Sequence, residues 1–91
     1  MINSKDEVRE FLKNFESFAQ WNGEKYYLFI ETNKPKGTLT IIKSQDGGFY
    51  YHRKNELYWD LKEIKVENGI LTDIIWTFRN AINKSLEKIV L

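Results

Sequence analysis

His52 is the only histidine in the chain, and it lies in the run Tyr50-Tyr51-His52-Arg53-Lys54. Imidazole is the one side chain that ordinarily titrates near neutral pH. A catalytic histidine needs an orienting partner and a nucleophile or substrate within reach. Ser17, Ser44 and Ser85 lie in no nucleophile motif, and no G-x-S-x-G is present. His52 therefore reads as a strand residue on a wet or half-buried sheet face.

Other chemistries fail on residue types. Cysteine is absent, which excludes disulfides, thiolate zinc sites and cysteine catalysis. One histidine cannot build a His-pair metal site. The 13 acidic residues form no close pair in an apolar setting. Glu7 and Glu10 belong to the first turns of a helix, and Glu63 and Glu67 flank a strand irregularity and a turn. No D-x-D-x-D-G, G-x-x-x-x-G-K or G-x-G-x-x-G occurs. Gly47-Gly48 precedes a strand, not a helix, so it cannot cradle a phosphate. The expectation is a non-enzymatic protein without metal or cofactor.

Aromatic side chains are the strongest functional signal. Six Phe, five Tyr and three Trp make up 15% of 91 residues. A domain this small needs large apolar side chains simply to fold. Yet many of these rings fall between residues 27 and 59, interleaved with Lys and Arg. Residues 32–54 carry Lys34, Lys36, Lys43, Arg53 and Lys54 against Asp46 alone. Residues 55–73 reverse the balance, with Lys62 and Lys65 against Glu56, Asp60, Glu63, Glu67 and Asp73. The whole chain stands at +1. That balance suits neither a protein that coats nucleic acid nor an acidic mimic of one. The two blocks read as charge complementarity between neighbouring strands.

The elements that must position these residues follow from periodicity. Ser4 and Glu7 form a capping box, in which hydroxyl and carboxylate each satisfy an orphan N–H. Val8, Phe11, Leu12, Phe15 and Ala19 then recur at helical spacing, predicting a helix over 4–20 that stops near Asn22-Gly23. Lys25–Glu31 is a strand with Tyr26, Leu28 and Ile30 on one face and Tyr27 and Phe29 on the other. A loop over 32–37, broken by Pro35 and Gly37, leads to a strand over 38–43. There Leu39 and Ile41 oppose Thr38, Thr40 and Ile42. Asp46-Gly47-Gly48 turns into a third strand, 49–54, and Asn55-Glu56 turns into a fourth. In the fourth strand Leu57, Trp59 and Leu61 alternate, and a bulge near Lys62-Glu63 reconciles them with Ile64 and Val66. Asn68-Gly69 reads as a turn before the last helix, in preference to a hairpin turn. That helix begins near Thr72 and carries the stripe Ile75, Phe78, Ile82, Leu86 and Ile89.

The expected fold is α+β over residues 1–91 as one domain. It has an N-terminal helix, a four-stranded antiparallel meander sheet and a C-terminal helix, both helices on one sheet face. This order resembles that of the double-stranded-RNA-binding domain in topology alone. That family's basic cluster at the start of its second helix has no counterpart in Leu71-Thr72-Asp73-Ile74, and a fourth strand is extra. No family is assigned.

If the helices cover one face, the other is open. Tyr27, Phe29, Ile42 and either Phe49/Tyr51 or Tyr50/His52 then share it. Such a face fits a protein partner, a second copy of the chain included, because Tyr, Trp and Phe anchor interfaces. It also fits the alternative of RNA or single-stranded nucleic acid stacking on aromatic rings. The candidate partner-binding residues are Tyr27, Phe29, Lys34, Lys36, Tyr50, His52, Arg53, Lys54 and Trp76. Trp76 lies about 140° from the centre of the apolar stripe, among Asn80, Asn83 and Glu87. It is either an interface anchor or a ring folded under the Asn68-Gly69 connection.

No signal peptide or membrane span is expected, because Met1–Glu10 is polar and no window is long and apolar enough. The cytoplasm is the expected compartment. Lys, Asn and Ile make up 29 residues. Their codons are A/T-rich, pointing to a low-GC bacterium or one of its phages as source. The overall expectation is a small protein-binding module, an inhibitor or adaptor.

Overall fold

The computed structural model describes residues 1–33, 36–55, 64–66 and 68–90. Helices α1 (Lys5–Lys13) and α2 (Phe15–Phe18) come first. Strands β1 (Gln20–Trp21), β2 (Tyr26–Asn33), β3 (Lys36–Lys43), β4 (Phe49–Asn55) and β5 (Ile64–Val66) follow. Helices α3 (Asn68–Thr77) and α4 (Arg79–Val90) close the order. The strands form one antiparallel meander, β1-β2-β3-β4-β5. The α+β class and the placement of the helices on one sheet face agree with expectation.

Alternation decides the layers. β2 buries Leu28, Ile30 and Thr32 on one side, and β3 answers with Leu39 and Ile41 in the register Leu28↔Ile41 and Ile30↔Leu39. Against this face lie Val8 and Phe11 of α1, Phe15 of α2, Leu71 and Ile75 of α3, and Ile82 and Leu86 of α4. Phe15 is fully buried and meets Phe11 and Phe49 edge-on, with ring centroids 5.9 and 5.4 Å apart. Such T-shaped contacts suit the ring quadrupoles.

The first helix is shorter than its stripe predicts. Its cap is built as expected at the backbone, with the Ser4 hydroxyl accepting from the Glu7 N–H at 3.3 Å. The Glu7 carboxylate, however, accepts from the Ser4 hydroxyl at 3.2 Å. At Asn14 the side-chain amide donates to the Glu10 carbonyl at 3.0 Å, and the helix breaks there. Such back-bonding competes with the helical ladder. After one turn of α2 the chain becomes extended at Ala19 and adds a strand that periodicity did not signal. Asn22-Gly23 is consequently a hairpin turn, not a helix stop. The Asn22 side-chain oxygen accepts from the N–H groups of Glu24 and Lys25, both at 2.9 Å, and Gly23 takes φ 94°.

The expected loop over 32–37 is almost absent. Pairing runs out to Asn33↔Lys36, so only residues 34–35 connect the strands, and they lie outside the described residues. The Asp46-Gly47-Gly48 turn is present, with Gly47 at φ 90° and the Gly48 N–H donating to Asp46 at 2.8 Å. The expected strand at 57–61 and the bulge at 62–63 lie outside the described residues. Ile64–Val66 does pair with β4.

The last helix begins at Asn68, a turn earlier than expected, which excludes the hairpin reading of Asn68-Gly69. Leu71, fully buried, extends the apolar stripe backwards. The helix is interrupted at Phe78. Nearby, the Thr77 hydroxyl donates to the Asp73 carbonyl at 2.8 Å and the Arg79 guanidinium donates to the Trp76 carbonyl at 2.9 Å. Both contacts draw carbonyls away from a straight ladder. Two stripe residues depart from expectation. Phe78 is half-buried with the Arg53 guanidinium 5.2 Å from its ring centroid, and Ile89 is 46% exposed.

Asn83 holds the N-terminal segment. Its side-chain oxygen accepts from the Ile2 N–H at 2.7 Å, and its amide donates to the Ile2 carbonyl at 3.0 Å. The side chain thus imitates a strand partner and seats buried Ile2 against α4. Three denaturation measurements check this core. Phe15→Ala is expected to cost about 3–5 kcal/mol. Phe78→Ala, at a half-exposed ring, is expected to cost about 1–2 kcal/mol. Asn83→Ala is expected to cost about 1–3 kcal/mol, because two backbone groups lose their partner.

Candidate partner-binding face of the sheet

The side of the sheet away from the helices is ordered in cross-strand rows. Tyr27, Ile42 and Tyr50 form the first, and Phe29, Thr40 and His52 the second. Glu31, Thr38 and Lys54 form the third, and Asn33 and Lys36 lie beyond it. Of the two β4 alternatives, Tyr50/His52 is therefore the pair on this face. Six of the nine candidate residues share it: Tyr27, Phe29, Lys36, Tyr50, His52 and Lys54.

The remaining three do not join them. Arg53 has the opposite parity on β4, pairs with Leu39, and lies over the Phe78 ring on the helix side. Its pKa is lowered by desolvation. Trp76 is half-buried on α3, packed against the core, with the Arg79 guanidinium 4.2 Å from its ring centroid. Lys34 lies outside the described residues.

The face is not the open plane that alternation suggests. Ile42 is 2% exposed and Thr40 6%. Both belong to the middle strand, with larger rings on either side in their rows. Exposed aromatic surface is concentrated instead on β2. Phe29 is 56% exposed and stacks on Tyr27 with centroids 6.0 Å apart and planes 8° from parallel. At the same end but on the helix side, Trp21 of β1, 47% exposed, pairs with Tyr26 and lies 4.8 Å from its ring. Tyr50 is engaged by Lys25, whose ammonium lies 5.4 Å from the ring centroid.

Charge on this face is mixed. Glu31 stands one strand position pair beyond Phe29, in the same row as Lys54. Periodicity reached this position, but Glu31 was not among the expected site residues, because single charges carry no motif. Of the basic block, Lys43 is committed elsewhere, bonded to Glu16 of α2 at 2.9 Å. Among the described residues no three His, Asp or Glu side chains come together as metal ligands. No helix of the described residues is long and apolar enough to cross a membrane.

The His52 ring is half-buried, and its Nε2 is buried without a hydrogen-bond partner among the described residues. A buried unsatisfied polar atom costs stability, whereas an apolar group of similar shape avoids that cost. His52→Phe should therefore leave the unfolding free energy unchanged or raise it by about 1 kcal/mol. A loss measured by denaturant titration would instead reveal a partner for Nε2. No protein-family model matches the sequence, and no curated protein or solved structure matches it.

Proposed function

We propose that this chain is a non-catalytic protein-binding module, an inhibitor or adaptor acting in the cytoplasm, whose contact surface is the β2 side of the sheet. The observation that carries the reading is Phe29, a ring more exposed than buried that stacks on Tyr27. A large apolar side chain fixed in water gains on desolvation and loses little entropy when a partner covers it.

Nucleic acid is the weaker reading. Phosphate binding requires cations beside the stacking rings. Of the basic block, Arg53 turns to the helix side and Lys43 is bonded to Glu16, which leaves Lys36 and Lys54 on this face, and Glu31 brings a carboxylate next to Phe29. A carboxylate there repels a phosphate backbone and suits a protein surface of mixed charge.

A photo-crosslinking residue at Phe29, compared with one at Arg9 on α1, tests the reading in cells of the source organism. The expected result is a discrete protein adduct from position 29 alone. Phe29→Ser should weaken that association by at least about tenfold. Saturable oligonucleotide binding that collapses between low and physiological salt, without a protein adduct, would contradict it.

A further inference from the structure

β1 covers only the end of β2, pairing Gln20 with Tyr27 and Trp21 with Tyr26. Before Gln20 the chain is the helical turn α2, so the line of β1 reaches no further along β2. The Asn22 N–H donates to the Lys25 carbonyl at 3.2 Å, which makes Asn22 and Lys25 a hydrogen-bonded pair of the hairpin. Such pairs alternate along an antiparallel ladder, so the odd-numbered residues of β2 turn their backbone groups towards β1 and the even-numbered ones theirs towards β3. Beyond Tyr27, the N–H and C=O groups of Phe29 and Glu31 therefore point out of the sheet edge, where no strand of the described residues lies. An extended backbone is the partner that satisfies donors and acceptors in that alternation. Two adjoining cavities of ≈ 430 and ≈ 320 Å³ run along this edge between β2 and α4, and Glu31 lines both. Lys88 and Ile89 of α4 wall the first, and Lys84 of the same helix walls the second. Neither lysine has an ion-pair partner among the described residues. Glu87 lines neither cavity, so the helix side of the edge is cationic.

We infer that this edge takes up an extended segment of a partner protein as an added strand, antiparallel to β2 in the line of β1, with acidic side chains at alternate positions turned towards α4. The inference rests on the protein-binding reading and names the binding mode and the chemistry of the partner. Lys84 and Lys88 stand about 6 Å apart along the helix axis, and alternate residues of a strand stand about 6.7 Å apart. Two carboxylates two positions apart on the added strand therefore meet the two ammonium groups together. The intervening side chains fall on the second face beside Phe29 and Glu31, where β-branched or basic groups fit. Glu31 belongs to that second face, so the sheet separates its carboxylate from the acidic positions of the partner.

The probe is a short synthetic peptide in which valine and glutamate alternate, with a valine–lysine peptide as its control. Amide hydrogen exchange followed by NMR reads the edge directly. In the chain alone, the Phe29 and Glu31 amides should exchange faster than those of Leu28 and Ile30. The glutamate peptide should slow exchange at Phe29 and Glu31 by at least about tenfold, and the lysine peptide should not. Lys84→Glu with Lys88→Glu, both at exposed positions, should reverse that preference. Glu31→Pro removes an outward N–H and leaves the ladder to β3 complete. It should keep the circular dichroism spectrum and abolish the protection of Phe29. The inference is overturned by no protection from the glutamate peptide, by equal protection from both peptides, or by protection of Phe29 that persists in Glu31→Pro. Slow exchange of both amides in the chain alone, with a sedimentation mass of twice 10.9 kDa, overturns it in favour of a second copy. A protein adduct at position 29 that Glu31→Pro leaves undiminished overturns this inference while the protein-binding reading stands.

Discussion

Eight residue pairs between β2 and β3, from Tyr26↔Lys43 to Asn33↔Lys36, determine which side chains see the core and which see solvent. A slip of one residue would send Leu28 and Ile30 to the second face and bring Phe29 and Glu31 under the helices. Burying an unpaired carboxylate there would cost several kcal/mol, while the helical stripes of Phe15, Ile75 and Ile82 would lose their apolar floor. The register is therefore held from both sides: by what must be buried and by what must not. Everything outward of it, including the rows on the second face and the free edge of β2, inherits that choice.

The helical layer adapts to the sheet rather than the reverse. Both helical regions break where a side chain competes for a backbone carbonyl, at Asn14 and around Thr77 to Arg79. Each break lets a continuous apolar stripe follow a twisted floor. Arg53 illustrates the same economy. It leaves water on the helix side, lies against the Phe78 ring, and donates to the Lys54 carbonyl at 2.9 Å. Its stem and guanidinium cover a half-buried aromatic that would otherwise stand open.

Strand alternation was legible in the sequence because burial of one face writes a period of two directly into residue type. Leu28, Ile30, Leu39 and Ile41 all fall where that period puts them. The two Asn-Gly dipeptides were not legible. At 22–23 the pair forms a hairpin turn where a helix stop was expected, and at 68–69 it lies inside the first turn of the helix that it was expected to precede. The dipeptide is the same in both, but Glu24-Lys25 follow the first and Ile70-Leu71 the second. What also differs is tertiary: Trp21 has β2 to pair with, whereas Leu71 has a core to enter. The site was legible in part. Parity placed Tyr27 and Phe29 together, but it could not separate Arg53 from Lys54 in function, nor foresee that Ile42 and Thr40 would be buried on the second face. Ile89 shows the limit of a helical stripe: it lines a groove beside β2 instead of entering the core.

Aromatic and methyl NOEs in a solution NMR spectrum test the central assignment of faces most directly. Leu28 and Ile30 methyl groups should contact the Phe15 ring and the Ile75 and Ile82 methyl groups. Phe29 should contact Tyr27 and Thr40 and show no contact with Phe15. An NOE network joining Phe29 to Phe15 or Ile75 would place β2 in the other register and contradict the account.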